Sequence, residues 1–172
     1  MLKYNRVSLK LSGEAMGGSE TIDFAASARI AREIKTLVEA GVEVGVTIGA
    51  GNVWRGRSSG GMDRNRADEM GMLATAINCL AMEAALKEAG VESIVLSTLH
   101  MPSICDDFTA EKARRAMKEG KVCLLPAARG GRSSLPIRQP RLRPPRYMPM
   151  LWCLQKMLTA CTRPILTRIR TR

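Results

Sequence analysis

The chain changes character near Ala127, and that change limits how much of it can build one core. Residues 1–126 hold sixteen Lys or Arg and sixteen Asp or Glu, a balance of zero. Residues 127–172 hold eleven Lys or Arg and no acid, so the entire formal charge of +11 lies there, with six of the eight prolines. A neutral, periodic region gives way to a basic Pro/Arg-rich one. The expected organisation is a folded part over 1–126 and a disordered tail over 127–172. The full 172 residues would suit one ordinary domain. With 45% apolar but only 3% aromatic residues, any core must be aliphatic and Met-rich.

Strand-like and helix-like runs alternate in the first part. Arg6–Leu11, Val42–Ile48, Ser93–Leu96 and Val122–Leu125 read as strands. Asp23–Ala40, Ala67–Ala89 and Ala110–Lys118 read as helices, closed by Gly41, Gly90 and Gly120. Such alternation predicts βαβ units and hence an α/β fold. The expected architecture is a three-layer αβα sandwich on a mainly parallel sheet, ending after about the fourth strand. Ligands in these sheets bind beyond the carboxyl ends of the strands. The glycine-bearing segments after strands one and two fall there.

Several function classes are disfavoured. Five cysteines show no C-x-x-C pair and the chain has one histidine, His100, which argues against zinc. The start, MLKYNRVSLKLSGEA, lacks the apolar stretch of a secretion signal, and no run reaches membrane-spanning length. A reduced cytoplasmic protein with no membrane partner is expected.

Three segments carry possible chemistry. In Lys10-Leu11-Ser12-Gly13-Glu14-Ala15, Gly13 lets backbone approach a phosphate, Ser12 can donate a hydrogen bond and Lys10 supplies a point charge. The plainer reading is a strand end with a snorkelling lysine and an ordinary turn. In Gly49-Ala50-Gly51-Asn52-Val53-Trp54-Arg55-Gly56, glycines free backbone N–H groups for an anion and Arg55 can clamp a phosphate. A strand-to-loop turn with a surface arginine explains it equally. Neither segment is a Walker A motif or G-x-G-x-x-G. Asp68, with Glu69, is placed at the start of the long helix, where an acid complements the dipole or accepts hydrogen bonds from ribose hydroxyls. His100 could be a base and Cys105-Asp106-Asp107 has no evident partner; the Met70, Met72, Leu73 and Met82 set reads as core or subunit interface.

Taken together, KLSGEA, IGAGNVWRG and ADEMGMLAT, in this order and spacing, resemble the bacterial UMP kinases of the amino-acid-kinase superfamily. The likeness runs from about Arg6 to Pro126, and Gly71-Met72-Leu73-Ala74-Thr75 is its most specific part. It implies an amino-acid-kinase-like fold and phosphoryl transfer from ATP, with Mg²⁺, to UMP. By position, Lys10, Leu11, Ser12, Gly13, Gly51 and Arg55 match ATP-binding residues. Lys10 and Arg55 would be catalytic, and Ala50 and Asp68 would match UMP-binding positions. Ala50 stands where the family carries the central glycine of a triple-Gly run. The resemblance also implies a homo-oligomer, a hexamer in the family, with the long helix in subunit contacts and GTP and UTP as effectors.

Past the fourth strand the family expects GTGNPFFTTDTAA-like residues, an ADVV strand and a DGVY-x-x-D-P segment. None is present. The genetic code offers a reason. Met148-Pro149-Met150-Leu151-Trp152-Cys153 requires ATG CCN ATG, CTN or TTR, TGG, TGY. Read from the third base of the first codon, these permit Ala-Asp-Val-Val-Val. The same frame permits VVLAKNVDGVYAADPNKDPDA over Leu151–Arg172, TDTAA, one further residue and LAASEIY over Leu135–Tyr147, and G-T-G, Arg or Gly, P-F-F-T over Ala127–Ser134. Loss of one base near codon 127 is therefore expected, leaving a truncated and impaired kinase. The competing expectations are a nucleic-acid-binding protein using the basic tail, or another amino-acid-kinase member such as an acetylglutamate or aspartate kinase. For nucleic acid the tail offers only Tyr147 and Trp152 for stacking and no recognisable module. GMLAT and Asp68 argue for UMP over other superfamily substrates.

Overall fold

A computed structural model describes residues 5–18, 20–54 and 61–126. Strands β1 (Arg6–Leu11), β2 (Glu43–Ile48), β3 (Ser93–Ser97), β4 (Asp106–Asp107) and β5 (Val122–Pro126) alternate with helices α1 (Phe24–Glu39), α2 (Arg64–Glu88) and α3 (Ala110–Lys118). The sheet order is β1-β2-β5-β3-β4, and every pairing is parallel. The expected α/β class with a parallel sheet is observed. The two-residue β4 adds an edge strand too short to show any periodicity.

β2 shows why three layers form. Val44, Val46 and Ile48 alternate on one face and are fully buried. On the other face, Gly45 presents no side chain, and a Cβ there would lie 3.7 Å from Met117 Sδ of α3. α3 thus settles against β2 and β5, while α1 packs on α2 and β2 on the opposite face. Chain direction agrees with this division: α1 and α2 carry the chain one way across the sheet, and α3 carries it back to insert β5 between β2 and β3. Right-handed crossovers require such returning helices to lie on the other face.

All three helices stop by one device. Gly41, Gly90 and Gly120 adopt φ of +79°, +76° and +82°, a conformation other residues adopt only with strain. Each donates back into its helix, and the next residue reaches one turn further, as in Val42 N to Leu37 O at 3.0 Å and Val91 N to Leu86 O at 2.9 Å. These are Schellman closures, with buried Val42 and Val91 supplying the apolar contact. Helix starts are also capped by side chains. Asp23 accepts from Ala26 N, and Thr109 from Lys112 N.

The N-terminus of α2 corrects one expectation. The helix begins at Arg64, three residues before the expected Ala67, because Asp63 accepts from both Asn65 N and Arg66 N. Asp68 therefore lies in the second turn, where dipole complementation has faded. Glu69 pairs with Arg66 at 2.9 Å. Asp63→Ala should destabilise the fold by about 1 kcal/mol, read as a lower urea midpoint at unchanged slope.

The core has the expected composition. Met16, Ile34, Ile48, Met82, Leu86, Leu96 and Leu124 are among its largest fully buried side chains, and no aromatic ring joins the buried core of the described residues.

Candidate functional site

Parallel pairing places the ends of β1 and β2 level: Lys10 is opposite Thr47, and Leu11 is opposite Ile48. Gly49 N then donates to Leu11 O at 2.9 Å, extending the ladder one step past the strands. Both glycine-bearing turns emerge at this point. The first folds at once into a single 3-10 turn, Gly13–Ala15, with Ala15 N bonded to Ser12 O and Met16 N to Gly13 O. In the second, Val53 N and Trp54 N both donate to Ala50 O.

The two turns touch backbone to backbone. A Cβ built on Gly13 would sit 2.5 Å from Gly51 N and 2.8 Å from the carbonyl carbon of Ala50, and would collide with Asn52 Oδ1. Only glycine allows this approach. Glu14 lies on the Gly51 side, with its Cγ 3.6 Å from where a Cβ of Gly51 would be. Leu11 and Gly13 are buried, Ser12 and Lys10 are exposed, and Ala50 and Gly51 are half-buried. The structure thus brings Lys10, Leu11, Ser12, Gly13, Ala50 and Gly51 together at one end of the sheet.

Asp68 is tied to this cluster through Trp54. Trp54 Nε1 donates to Ala67 O at 2.9 Å, and Trp54 Cδ1 would be 3.7 Å from a Cβ on Gly71. The indole thus fixes the end of the second turn to the helical turn that carries the half-buried Asp68. Arg55, the remaining expected site residue, lies outside the described residues, as does everything after Pro126.

Two polar residues that the sequence reading passed over hold the second turn. Asn78, on α2 and fully buried, donates to Gly49 O at 2.8 Å and to Asn52 Oδ1 at 2.7 Å. Asn52 Nδ2 donates to Asn78 Oδ1 at 3.0 Å and to Thr21 O at 2.7 Å. An amide within an otherwise Ala/Met/Leu-rich stretch was the available signal, because a buried amide must find partners.

Other candidates take their places elsewhere. His100 is paired with Asp107 at 2.9 Å, and Asp106 lies 3.7 Å from Lys112 Nζ. The run Cys105-Asp106-Asp107 thus has partners after all, on and beside β4. The paired His100, Asp106 and Asp107 side chains are exposed, where ion pairs contribute little. Burial pushes the Cys79 thiol up to about 12 and also raises Cys105 and Cys123, so none of these presents a ready thiolate. Among the described residues no group of three or more His, Cys, Asp or Glu could hold a metal ion. None of their helices is long and apolar enough to cross a membrane.

The chain is similar to known proteins of one family. The model of the amino acid kinase family matches residues 5–133, seven residues beyond Pro126, where the motif resemblance stops. The uridylate kinase of Bartonella bacilliformis is 47% identical over 133 residues, covering 75% of this chain and 56% of that protein. The uridylate kinase of Brucella anthropi is 49% identical over 131 residues, covering 74% and 55%. The chain spans about half the length of the curated relatives it matches. Among crystal structures, UMP kinase from Ureaplasma parvum superposes with a TM-score of 0.67 at 34% identity, over 72% of this chain and 56% of that one. UMP kinase from Bacillus anthracis gives 0.69 at 29% identity, over 74% and 55%. The aspartate kinase of Synechocystis shares the fold alone, at 0.53 and 17% identity. Sheet order, paired glycine turns and family match agree: the chain belongs to the amino acid kinase family.

Proposed function

We propose that residues 6–126 are the N-terminal part of a UMP kinase, an enzyme that transfers a phosphoryl group from ATP to UMP to give UDP and ADP. The observation that carries this reading is the backbone contact of the Gly13 and Gly51 turns beside Lys10, at the carboxyl end of parallel strands. Similarity to uridylate kinases supports the substrate. In the reaction a phosphate oxygen of UMP attacks the γ-phosphorus of ATP, the bond to the β,γ-bridging oxygen breaks, and ADP leaves. The acceptor oxygen is already anionic at neutral pH, so no general base is required. Catalysis is then positioning plus neutralisation of charge on the moving phosphoryl group. Lys10 and Arg55 would supply positive charge, with Leu11, Ser12, Gly13 and Gly51 seating the ATP phosphates and Ala50 and Asp68 meeting UMP. The described residues do not form a magnesium cage. Mg²⁺ would enter on the ATP phosphates, and no step here is assigned to it.

The chain as written lacks the family's motifs after β5, and we read 127–172 as translated out of frame. Sequencing codons 120 to 135 of the gene tests this: a missing base is expected, and an intact frame overturns it. Kinase activity of the chain as written is expected to be weak or absent. A basic tail acting on nucleic acid would lie wholly outside the described residues and gains no support from them.

We place a homo-oligomer contact, hexameric by family, on α2, where Met70, Leu73 and Ile77 are exposed at helical spacing. Ile77→Glu should lower the mass measured by light scattering to that of a smaller species, and an unchanged mass would remove this face from the contact. A cytoplasmic location and GTP or UTP regulation belong to the same reading.

A further inference from the structure

We infer that Asn78 is a positioning residue for the donor-phosphate site, acting through Asn52 and Gly49; the inference rests on the ATP reading given above. A buried side-chain amide must be hydrogen-bonded, but nothing requires its bonds to converge on one distant loop. Asn78 instead spends both donors on the second turn, at 2.7 Å to Asn52 Oδ1 and 2.8 Å to Gly49 O, and its acceptor takes Asn52 Nδ2 at 3.0 Å. Asn52 passes the restraint on. Its Nδ2 also reaches Thr21 O at 2.7 Å, and its Oδ1 lies against Gly13, where a Cβ would collide with it. One side chain on α2 therefore governs the separation of two turns that lie in different loops. No buried side-chain polar atom among the described residues lacks a partner, so the network is closed and its loss cannot be absorbed locally.

The role differs from simple core support because α2 has apolar neighbours enough to hold it to the sheet. Cys79, Met82 and Leu86 are all fully buried on the same helix. Removing the Asn78 amide should release the turns while leaving the sheet intact.

The test uses the full chain with Mg·ATP as probe, comparing Asn78→Ala, the milder Asn52→Ala from the half-buried loop side, and a core control, Val91→Ala. Amide hydrogen exchange at Gly49, Val53 and Trp54 should accelerate at least about tenfold relative to Val46 in both asparagine variants. The control should raise all four together. The Kd for Mg·ATP should rise about tenfold in Asn78→Ala and less in Asn52→Ala, where the Asn78 bond to Gly49 O survives, while the control stays within about twofold. If Asn78→Ala fails to fold, Asn52→Ala carries the test by the same two readouts. Unchanged loop exchange, or equal loss of affinity in the control, overturns the positioning role while leaving the ATP reading standing. If the chain as written, which lacks the family's segments after β5, binds no Mg·ATP, the exchange readout alone decides the positioning role, and absence of Mg·ATP binding in the frame-restored protein overturns the reading on which it rests.

Discussion

Gly13→Ala is expected to separate the two turns and to cost both stability and nucleotide binding. The added carbon would meet Gly51 N at 2.5 Å and the Ala50 carbonyl carbon at 2.8 Å, and both are backbone atoms of a turn held by Gly49 N to Leu11 O and by Val53 N and Trp54 N to Ala50 O. A flexible side chain could swing aside, but these cannot. Relief must come from moving one loop, which breaks Gly49 N to Leu11 O or the Asn52 network. Overpacking of this kind costs about 1–3 kcal/mol, equivalent to a fall in Tm of about 4–20 °C in a domain of this size. Gly45→Ala is the internal comparison. Its Cβ would lie at an ordinary 3.7 Å from Met117 Sδ, and an alanine in mid-strand restricts the unfolded chain, so Tm should hold or rise. A Gly13→Ala protein as stable as wild type would contradict the described contact.

Lys10→Ala carries the second large effect. Lys10 stands at the exposed end of β1, next to the turn that Gly13 makes possible. If its ammonium meets charge that develops on the transferring phosphoryl group, its loss removes a transition-state interaction rather than a substrate contact. In the protein with its reading frame restored, kcat should fall about 10²- to 10³-fold, and the KM for UMP should change little. A Lys10→Ala enzyme with unaltered kcat would remove Lys10 from the mechanism. A rise in the KM for UMP alone would move it to the acceptor side.

How much of this was readable beforehand differs by element. Helix ends at Gly41, Gly90 and Gly120 were legible because a left-handed C′ residue has one common solution. α3 was predicted to the residue, since Ala110–Lys118 lies between a threonine cap and a glycine. The start of α2 was misplaced because Arg64-Asn65-Arg66 has no apolar periodicity, and Asp63, not hydrophobicity, starts the helix. β4 escaped because two acidic residues carry no strand signal. They pair with β3 only because Leu96 and Ser97 offer an open edge. At the site, the two glycine turns could be found from their local chemistry. Their mutual contact could not, because it depends on the register of β1 against β2 and on Asn78, twenty-six residues beyond its partner Asn52. Long-range pairing of this kind leaves no mark at short spacing.

The most direct measurement of the central claim is UMP-dependent ADP release in the presence of Mg·ATP, made on the chain as written and on the product of the gene with one base restored near codon 127. The account predicts steady turnover that requires UMP in the restored protein, and little or none in the chain as written. A folded restored protein without UMP-dependent turnover, or full turnover from the chain as written, would contradict it.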